Sequence, residues 1–298
     1  MKIKLLVLLC IVIFCILLKK NRKENFNNQE QINIVMSCDK NQFEGLVAIV
    51  NSILIHTKQK NRLFFNFLVD KNEKDILDKL LKRKLNLQNY YIKEIEEDKI
   101  ITNNIRVNKD SNIKNIMNFA RFNFENEFSN LDKILYLDCD MIVKSPIENL
   151  YDKFDNIKYP FAAIKIYNFE NSDDIFDECK KMYDLKDEYP YFNAGVYCTS
   201  LNYWRHNGIK RKIIQIMKQH KNSTNGLFNL GTQPILNIAF ADNFQVLEKA
   251  WNTGGLGEPK KKITYRKINN ANILHWTGKL KPWLPDGRYK EIWNKYKL

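Results

Sequence analysis

Residues 134–137, Ile-Leu-Tyr-Leu, run without polar alternation into two aspartates one residue apart, Asp138 and Asp140. A short apolar run of this composition reads as a strand covered on both faces, the strand type of α/β proteins. In an open α/β sheet the ligand crevice lies at the carboxyl ends of the strands, where these acids stand. Side chains two residues apart in an extended segment point to the same side. Two carboxylates converging in this way repel unless a cation lies between them or one takes up a proton. A hard divalent ion, Mn2+ or Mg2+, accepts such oxygen ligands and commonly shares them with a substrate's phosphates. Solvated acids at a strand-end turn would give the same letters, so the surrounding chain has to decide.

Upstream, residues 32–37 read as a first strand. Residues 42–56 have helical spacing, with Leu46, Ile49, Val50, Ile53 and Leu54 on one face. A second strand over 63–69, an amphipathic helix over 73–85 and a third strand over 90–95 follow. This β-α-β-α-β order predicts an α/β domain with a mostly parallel central sheet, flanking helices and right-handed crossovers. No glycine-rich phosphate loop follows the first strand, so a grip on phosphate has to come from metal and side chains. Downstream, helices are expected over 113–127, 172–183 and 204–219, and strands over 159–166 and 191–197. Residues 145–150 read as a turn and short helix. Thr232 is a candidate cap, with Pro234 in the first turn, for a helix over 235–240, and 288–296 closes the chain as a short basic helix.

Three further stretches have chemical content. Asn193 and Gly195 interrupt an apolar run. A polar side chain and a bare backbone there mark either close approach of a ligand or a β-bulge. His275 ends a short apolar run. It is either a satisfied core histidine or the imidazole that completes a carboxylate metal site. Gly278 would admit a diphosphate against the backbone, and Lys281 offers a point charge to phosphate.

The net charge is +14 over 298 residues. Part of it brackets the apolar run 5–18, flanked by Lys2, Lys4, Lys19, Lys20, Arg22 and Lys23. That run is short for a membrane span, yet no small-residue cleavage site follows it, which favours an uncleaved single-pass N-terminal anchor over residues 1–20. Residues 21–31 are polar and suit a short stem, leaving 32–298 as the folded domain. The heavier basic flank lies on the C-terminal side, which favours a cytoplasmic over a lumenal domain, though the orientation stays open. No nucleic-acid module is recognisable, so no nucleic-acid partner is expected. The six cysteines have no paired spacing and form neither a zinc nor a disulfide framework.

Taken in order, five segments resemble glycosyltransferase family 8, retaining sugar transferases with a GT-A fold. They are Ser37-Cys-Asp39-Lys-Asn41, Phe119-Ala-Arg121-Phe, Leu135-Tyr-Leu-Asp138-Cys-Asp140, Phe192-Asn-Ala-Gly195-Val and His275-x-x-Gly278-x-x-Lys281-Pro-Trp283. The ending after Lys281 and the stretch Leu230-Gly-Thr-Gln-Pro also look like the galacturonosyltransferase branch. The resemblance implies a UDP-sugar donor and Mn2+ (or Mg2+) held by Asp138, Asp140 and His275. It puts Asp39 and Asn41 at the uridine, Gly278 and Lys281 at the phosphates, and Arg121 and Asn193 at the donor sugar. The acceptor, whether glycan, protein or lipid, is not implied. Gln233 stands where many relatives have an acid; as a poor nucleophile it favours same-face displacement over a covalent intermediate. Lys165 replaces an acid that contacts the donor sugar in relatives. Gln42 replaces an aromatic near the uracil, for which Phe43 is the neighbouring substitute. The alternatives to a transferase are a catalytically impaired sugar-nucleotide- or glycan-binding protein, and a binder of anionic surfaces.

Overall fold

The acid pair reaches the floor of a cleft because of the order in which the strands are laid down. The structure, a computed structural model, describes residues 30–96, 116–156, 158–169, 175, 177–220 and 231–298. Ile32–Leu298 forms a compact unit. The anchor expected over 1–20 and most of the stem lie outside the described residues, and no described helix is long and apolar enough to cross a membrane.

Strands β1 (Ile32–Cys38), β2 (Leu63–Asp70), β3 (Tyr90–Ile95) and β4 (Lys133–Leu137) run parallel in the order β3-β2-β1-β4. A hairpin-like pair, β5 (Met141–Val143) with the distant β9 (Ile273–His275), forms a separate antiparallel sheet. Strand β7 (Pro190–Ser200) lies beyond β4 and is antiparallel both to it and to β6 (Phe161–Asn168), which carries β8 (Gln245–Val246) on its outer edge. The main sheet is therefore mixed but mostly parallel, with β7 alone reversed. The chain walks outward from β1 to β3, then returns to lay β4 on the other side of β1. Loops at the carboxyl ends of β1 and β4 consequently diverge and leave a crevice between them.

Both faces of β1, β2 and β4 are covered, as their largely apolar runs require, while β3 at the edge is half-exposed. On β4, Leu135 and Leu137 join Ile34, Leu46 and Phe65 on the side of α1 (Phe43–His56) and α2 (Lys74–Leu85). Ile134 and Tyr136 join Phe124, Tyr197 and Trp204 on the opposite side. Each such side chain removed from water contributes about 2 kcal/mol. A third cluster, built on Ile142, Leu274, Trp276 and Trp293, fastens the C-terminal segment onto β5 and α1. There Trp276 packs edge-on to Trp293 at 5.5 Å and donates Nε1–H to the Arg288 carbonyl at 2.7 Å.

Four expectations need correction. The helix expected over 113–127 is a 3-10 stretch, Ile116–Asn123, followed by one α-turn, α3 (Phe124–Glu127); residues 113–115 lie outside the described set. After α4 (Glu148–Tyr151) and α5 (Asp177–Met182), the helix expected over 204–219 is two, α6 (Leu201–Asn207) and α7 (Ile209–Gln219). Gly208 breaks it at φ +61, a left-handed conformation that glycine adopts without a Cβ penalty. Thr232 does not cap α8 (Gln233–Phe240); its own backbone is helical and its hydroxyl donates instead to Asn118 Oδ1 at 3.0 Å. Phe43 is 5% exposed in the α1 core and offers no face to a nucleobase. The last helices, α9 (Tyr265–Asn270) and α10 (Lys290–Trp293), are short.

Candidate active site

Four chain segments meet at the carboxyl end of β4. Asp138 follows β4 directly, and its backbone N–H donates to the Gly195 carbonyl of β7 at 2.9 Å. Asp140 precedes β5, whose first residue Met141 stands opposite His275 in the β5–β9 register. The Trp276 N–H donates to the Asp140 carbonyl at 2.9 Å, and the His275 N–H to the Thr253 carbonyl at 3.0 Å. A histidine 135 positions along the chain from Asp140 is thereby locked beside it by main-chain bonds, before any side chain contributes.

Each carboxylate is anchored through one oxygen and leaves the other for the centre. Asp138 Oδ1 accepts from Arg121 Nη2 at 3.0 Å and from the Tyr136 hydroxyl at 2.8 Å, while Oδ2 lies 3.7 Å from His275 Nε2. Asp140 Oδ2 pairs with Lys281 Nζ, while Oδ1 lies 3.2 Å from His275 Nε2. One ligand atom from each of Asp138, Asp140 and His275 lies within 4.8 Å of the other two, a set that fits a divalent ion. Burial works against the charge of Asp140, but Lys281 and His275 outweigh it and hold the carboxyl well below the usual range. Burial pushes the Tyr136 phenol well above its ordinary value, so Tyr136 serves Asp138 as a neutral donor. Cys139, between the acids, faces away toward the Ser37 carbonyl. Its hydrogen bond with Cys38 and then its burial raise the thiol well above its usual range and keep it protonated.

The tautomer of His275 is set by a chain of amides that sequence reasoning did not find. Gly195 N–H donates to Asn193 Oδ1 at 2.9 Å, and Ala194 N–H donates to Gln233 Oε1 at 3.1 Å. Asn193 Nδ2 also donates to Gln233 Oε1, at 3.1 Å. Since Asn193 Oδ1 is an acceptor, the Asn252 group 2.7 Å from it is the NH2, which leaves Asn252 Oδ1 to accept from His275 Nδ1 at 2.9 Å. His275 Nδ1 is therefore a donor to Asn252, which leaves Nε2 facing the carboxylates as the ring atom available to a metal. Asn252 lies in a one-turn 3-10 segment, Lys249–Asn252, with no motif around it to mark it.

The glycines leave the room this arrangement needs. A Cβ on Gly195 would run into the His275 ring and lie 2.7 Å from Asp138 Oδ2. Gly278, at φ +104, packs backbone to backbone on Gly257, so its missing side chain serves a loop contact within the protein.

A cleft of roughly 1030 Å³ opens above the carboxylates, and its walls include Arg121, Asp138, Asp140, Asn193, Gln233, His275 and Lys281. Seven of the ten residues that the resemblance assigns to the site are thus grouped around one space and Gly278 lies in the adjoining loop, whereas Asp39 and Asn41 are not on its walls. They follow the carboxyl end of β1, the parallel neighbour of β4. There the Asp39 carboxylate accepts from the Asn41 N–H at 3.0 Å and from Asn41 Nδ2 at 3.2 Å. Arg121, expected at the donor sugar, is 4% exposed and spends its fork inside the protein. It donates to the Asn118 and Ala194 carbonyls and to Asp138, with its guanidinium 4.3 Å from the centre of the Tyr136 ring. These bonds aim Asp138 from a position on the cleft wall.

The family model for glycosyl transferase family 8 matches residues 33–287. The probable galacturonosyltransferase-like 10 of Arabidopsis thaliana is 28% identical over 302 residues, covering 95% of this chain and 81% of that protein. The glycosyltransferase 8 domain-containing protein 1 of Xenopus tropicalis is 27% identical over 287 residues, covering 90% of this chain and 77% of its own. Among solved structures, the galactosyltransferase LgtC in complex with donor and acceptor sugar analogs superposes with a TM-score of 0.69 at 20% identity, covering 89% of this chain and 95% of that one. The glycosyltransferase GlyE of Streptococcus pneumoniae superposes at 0.59 and 20% identity, covering 91% and 61%. At these identities the structural matches establish the GT-A-like α/β fold.

Proposed function

The chain belongs to glycosyl transferase family 8, and from that premise we propose that it moves a hexose or related sugar from a UDP-sugar to an acceptor hydroxyl with retention and with help from a divalent cation. The observation that carries this reading is the convergence of Asp138 Oδ2, Asp140 Oδ1 and Nε2 of His275, each held from behind by another side chain. Two carboxylate oxygens and an imidazole suit Mn2+, with Mg2+ as the harder alternative. Such an ion supplies charge neutralisation for a departing diphosphate. Lys281 adds a second cation beside Asp140 for the same oxygens, so the leaving group needs no proton donor. Asp39 and Asn41, at the carboxyl end of β1 next to β4, are proposed to meet the uridine.

Asn193 and Gln233 line the cleft and are proposed to orient the donor sugar. The acids on the described cleft wall are all engaged: Asp138 and Asp140 as above, and Glu258 with Lys261 at 3.2 Å. Gln233 Oε1 is occupied by two N–H groups. Same-face displacement follows as the proposed path. The acceptor oxygen bonds to the anomeric carbon as the carbon–oxygen bond to the diphosphate breaks, and the acceptor's proton passes to the leaving phosphate oxygen. Trapping a kinetically competent covalent sugar adduct on a side chain would rule this path out.

UDP release from a panel of UDP-sugars, with and without Mn2+, tests the assignment in wild type and Asp140→Ala. Turnover that needs Mn2+ and disappears in the variant is the expected result. Donor binding without turnover across the panel would assign a sugar-nucleotide-binding protein instead. Residues 5–18 are proposed to tether the enzyme to a membrane. Fractionation of the full chain against one starting at residue 30 checks this, and equal solubility of the two would refute it.

A further inference from the structure

We propose that the acceptor is an anionic glycan, carrying carboxylate or phosphate groups, bound along the wall formed by Lys165, Lys249 and α9. This rests on the transferase reading above and names its second substrate. The cleft wall carries seven cationic side chains against three acids. Asp138 is paired with Arg121, Asp140 with Lys281 and Glu258 with Lys261. That leaves Lys165, Lys249, Arg266 and Lys267 without an acid within ion-pair distance among the described residues. A divalent ion and the diphosphate of a donor cancel one another's charge. The four surplus cations therefore outlast donor binding and keep this side of the cleft positive, which favours an acceptor carrying negative charge.

Their placement suits an acceptor that reaches past the donor sugar, with Lys165 at the border between the two. Lys165 stands on β6 opposite Phe192, one strand farther from β4 than Asn193 on β7. Arg266 and Lys267 come from α9, at the end of residues 260–267, Lys-Lys-Lys-Ile-Thr-Tyr-Arg-Lys, which hold five cations and no acid. Between them and the cap residue Thr264, Tyr265 is 80% exposed, an aromatic face on which a sugar ring can lie. A bilayer could satisfy the outer lysines of this stretch. It could not follow Arg266, Lys267 and Lys165 into the cleft they share with Asp138 and His275, whereas an extended saccharide can.

The test uses the full chain with Mn2+ and UDP present to fill the donor side. Three labelled oligosaccharides of equal length are titrated by anisotropy: carboxylated oligoalginate, a phosphorylated oligomannoside and uncharged dextran. At least one acidic glycan should bind roughly tenfold or more tighter than dextran, and which one binds identifies the anionic group. That affinity should fall as salt rises from ~50 to ~200 mM. Arg266→Glu with Lys267→Glu should weaken it by about ten- to a hundredfold, since two attractions become two repulsions at up to about a factor of five each. Equal binding of dextran and both acidic glycans would overturn the proposal, as would indifference to the double variant. So would charge-dependent binding to phosphatidylserine vesicles with none to either acidic glycan. UDP release is followed in parallel: its absence with every donor sinks the transferase reading, while the glycan titration still judges the acceptor wall on its own.

Discussion

Replacing Asn252 should weaken metal binding without unfolding the protein, and the size of the effect follows from the proton on His275. In the wild type, Nδ1–H is held by Asn252 Oδ1 at 2.9 Å, and the ring is 3% exposed. Asn252→Ala removes that acceptor. Without metal the ring escapes the penalty by moving its proton to Nε2, where Asp140 Oδ1 at 3.2 Å accepts it. A bound metal needs the Nε2 lone pair and forces the proton back onto Nδ1, now buried with no partner. An unsatisfied buried donor costs about 1–3 kcal/mol. Mn2+ affinity should therefore fall roughly five- to a hundred-and-fifty-fold, the range in which loss of a partner behind a metal-bound histidine usually falls. The backbone bonds that seat β9 do not pass through this side chain, including Thr253 N–H to the Ile273 carbonyl at 2.9 Å, so the metal-free fold should survive. Free Mn2+ followed by electron paramagnetic resonance, in the absence of nucleotide, measures the affinity; a melting curve in chelator controls for folding. Asn252→Asp restores an acceptor for Nδ1–H and should recover most of the affinity, at some cost in stability because it can no longer donate to Asn193. Mn2+ binding by Asn252→Ala within about twofold of wild type, with folding intact, would refute the tautomer argument.

Gly195→Ala should abolish Mn2+ binding in the same assay, because its Cβ takes the space between the His275 ring and Asp138 Oδ2. Lys281→Met should split two affinities. Loss of a charged hydrogen bond should weaken UDP binding by roughly tenfold or more, while Mn2+ alone binds at least as tightly because Asp140 Oδ2 is released; calorimetry with each ligand separates them. Glu125→Gln should raise the melting temperature at pH 7. Burial raises the Glu125 carboxyl above its ordinary value and Oε2 has no hydrogen-bond partner, so the folded state holds that proton more tightly than the unfolded chain. The wild type's disadvantage is full above the folded-state value and vanishes below the ordinary one. The difference in melting temperature should close as the pH falls to about 4, and a gap that persists there would contradict this account.

Local sequence carried a large part of this protein. The largely apolar runs at 32–37, 63–69 and 134–137 became parallel strands of the central sheet because sustained hydrophobicity requires burial on both faces, whatever the rest of the chain does. Asp138 and Asp140 were legible as a candidate cation site because acids one residue apart in an extended segment converge, but solvated acids would have given the same letters and only the surrounding motifs separated the two. His275 was legible only through the resemblance, as nothing in its own neighbourhood distinguishes a ligand from a core histidine. Secondary structure failed where a backbone detail overrode periodicity: at Gly208, whose left-handed conformation cuts one amphipathic pattern into two helices, and at Ile116–Asn123, where the turns tighten to 3-10.

Tertiary structure decided what each side chain is for. The reversed direction of β7 could not be read, because an apolar run looks the same from either end. Yet that strand brings Asn193 and Gly195 against the carboxylates. Arg121, which lines the cleft, is also the brace behind Asp138; Phe43 looked like a platform and proved to be core. Asn252 has no local signature, since its role exists only where Lys249–Asn252 passes β9 on one side and Asn193 on the other. Burial and strand type follow from near-neighbour chemistry and are written in short windows of sequence. The aim of a hydrogen bond depends on which distant segment supplies its partner, and the packed chain alone fixes that.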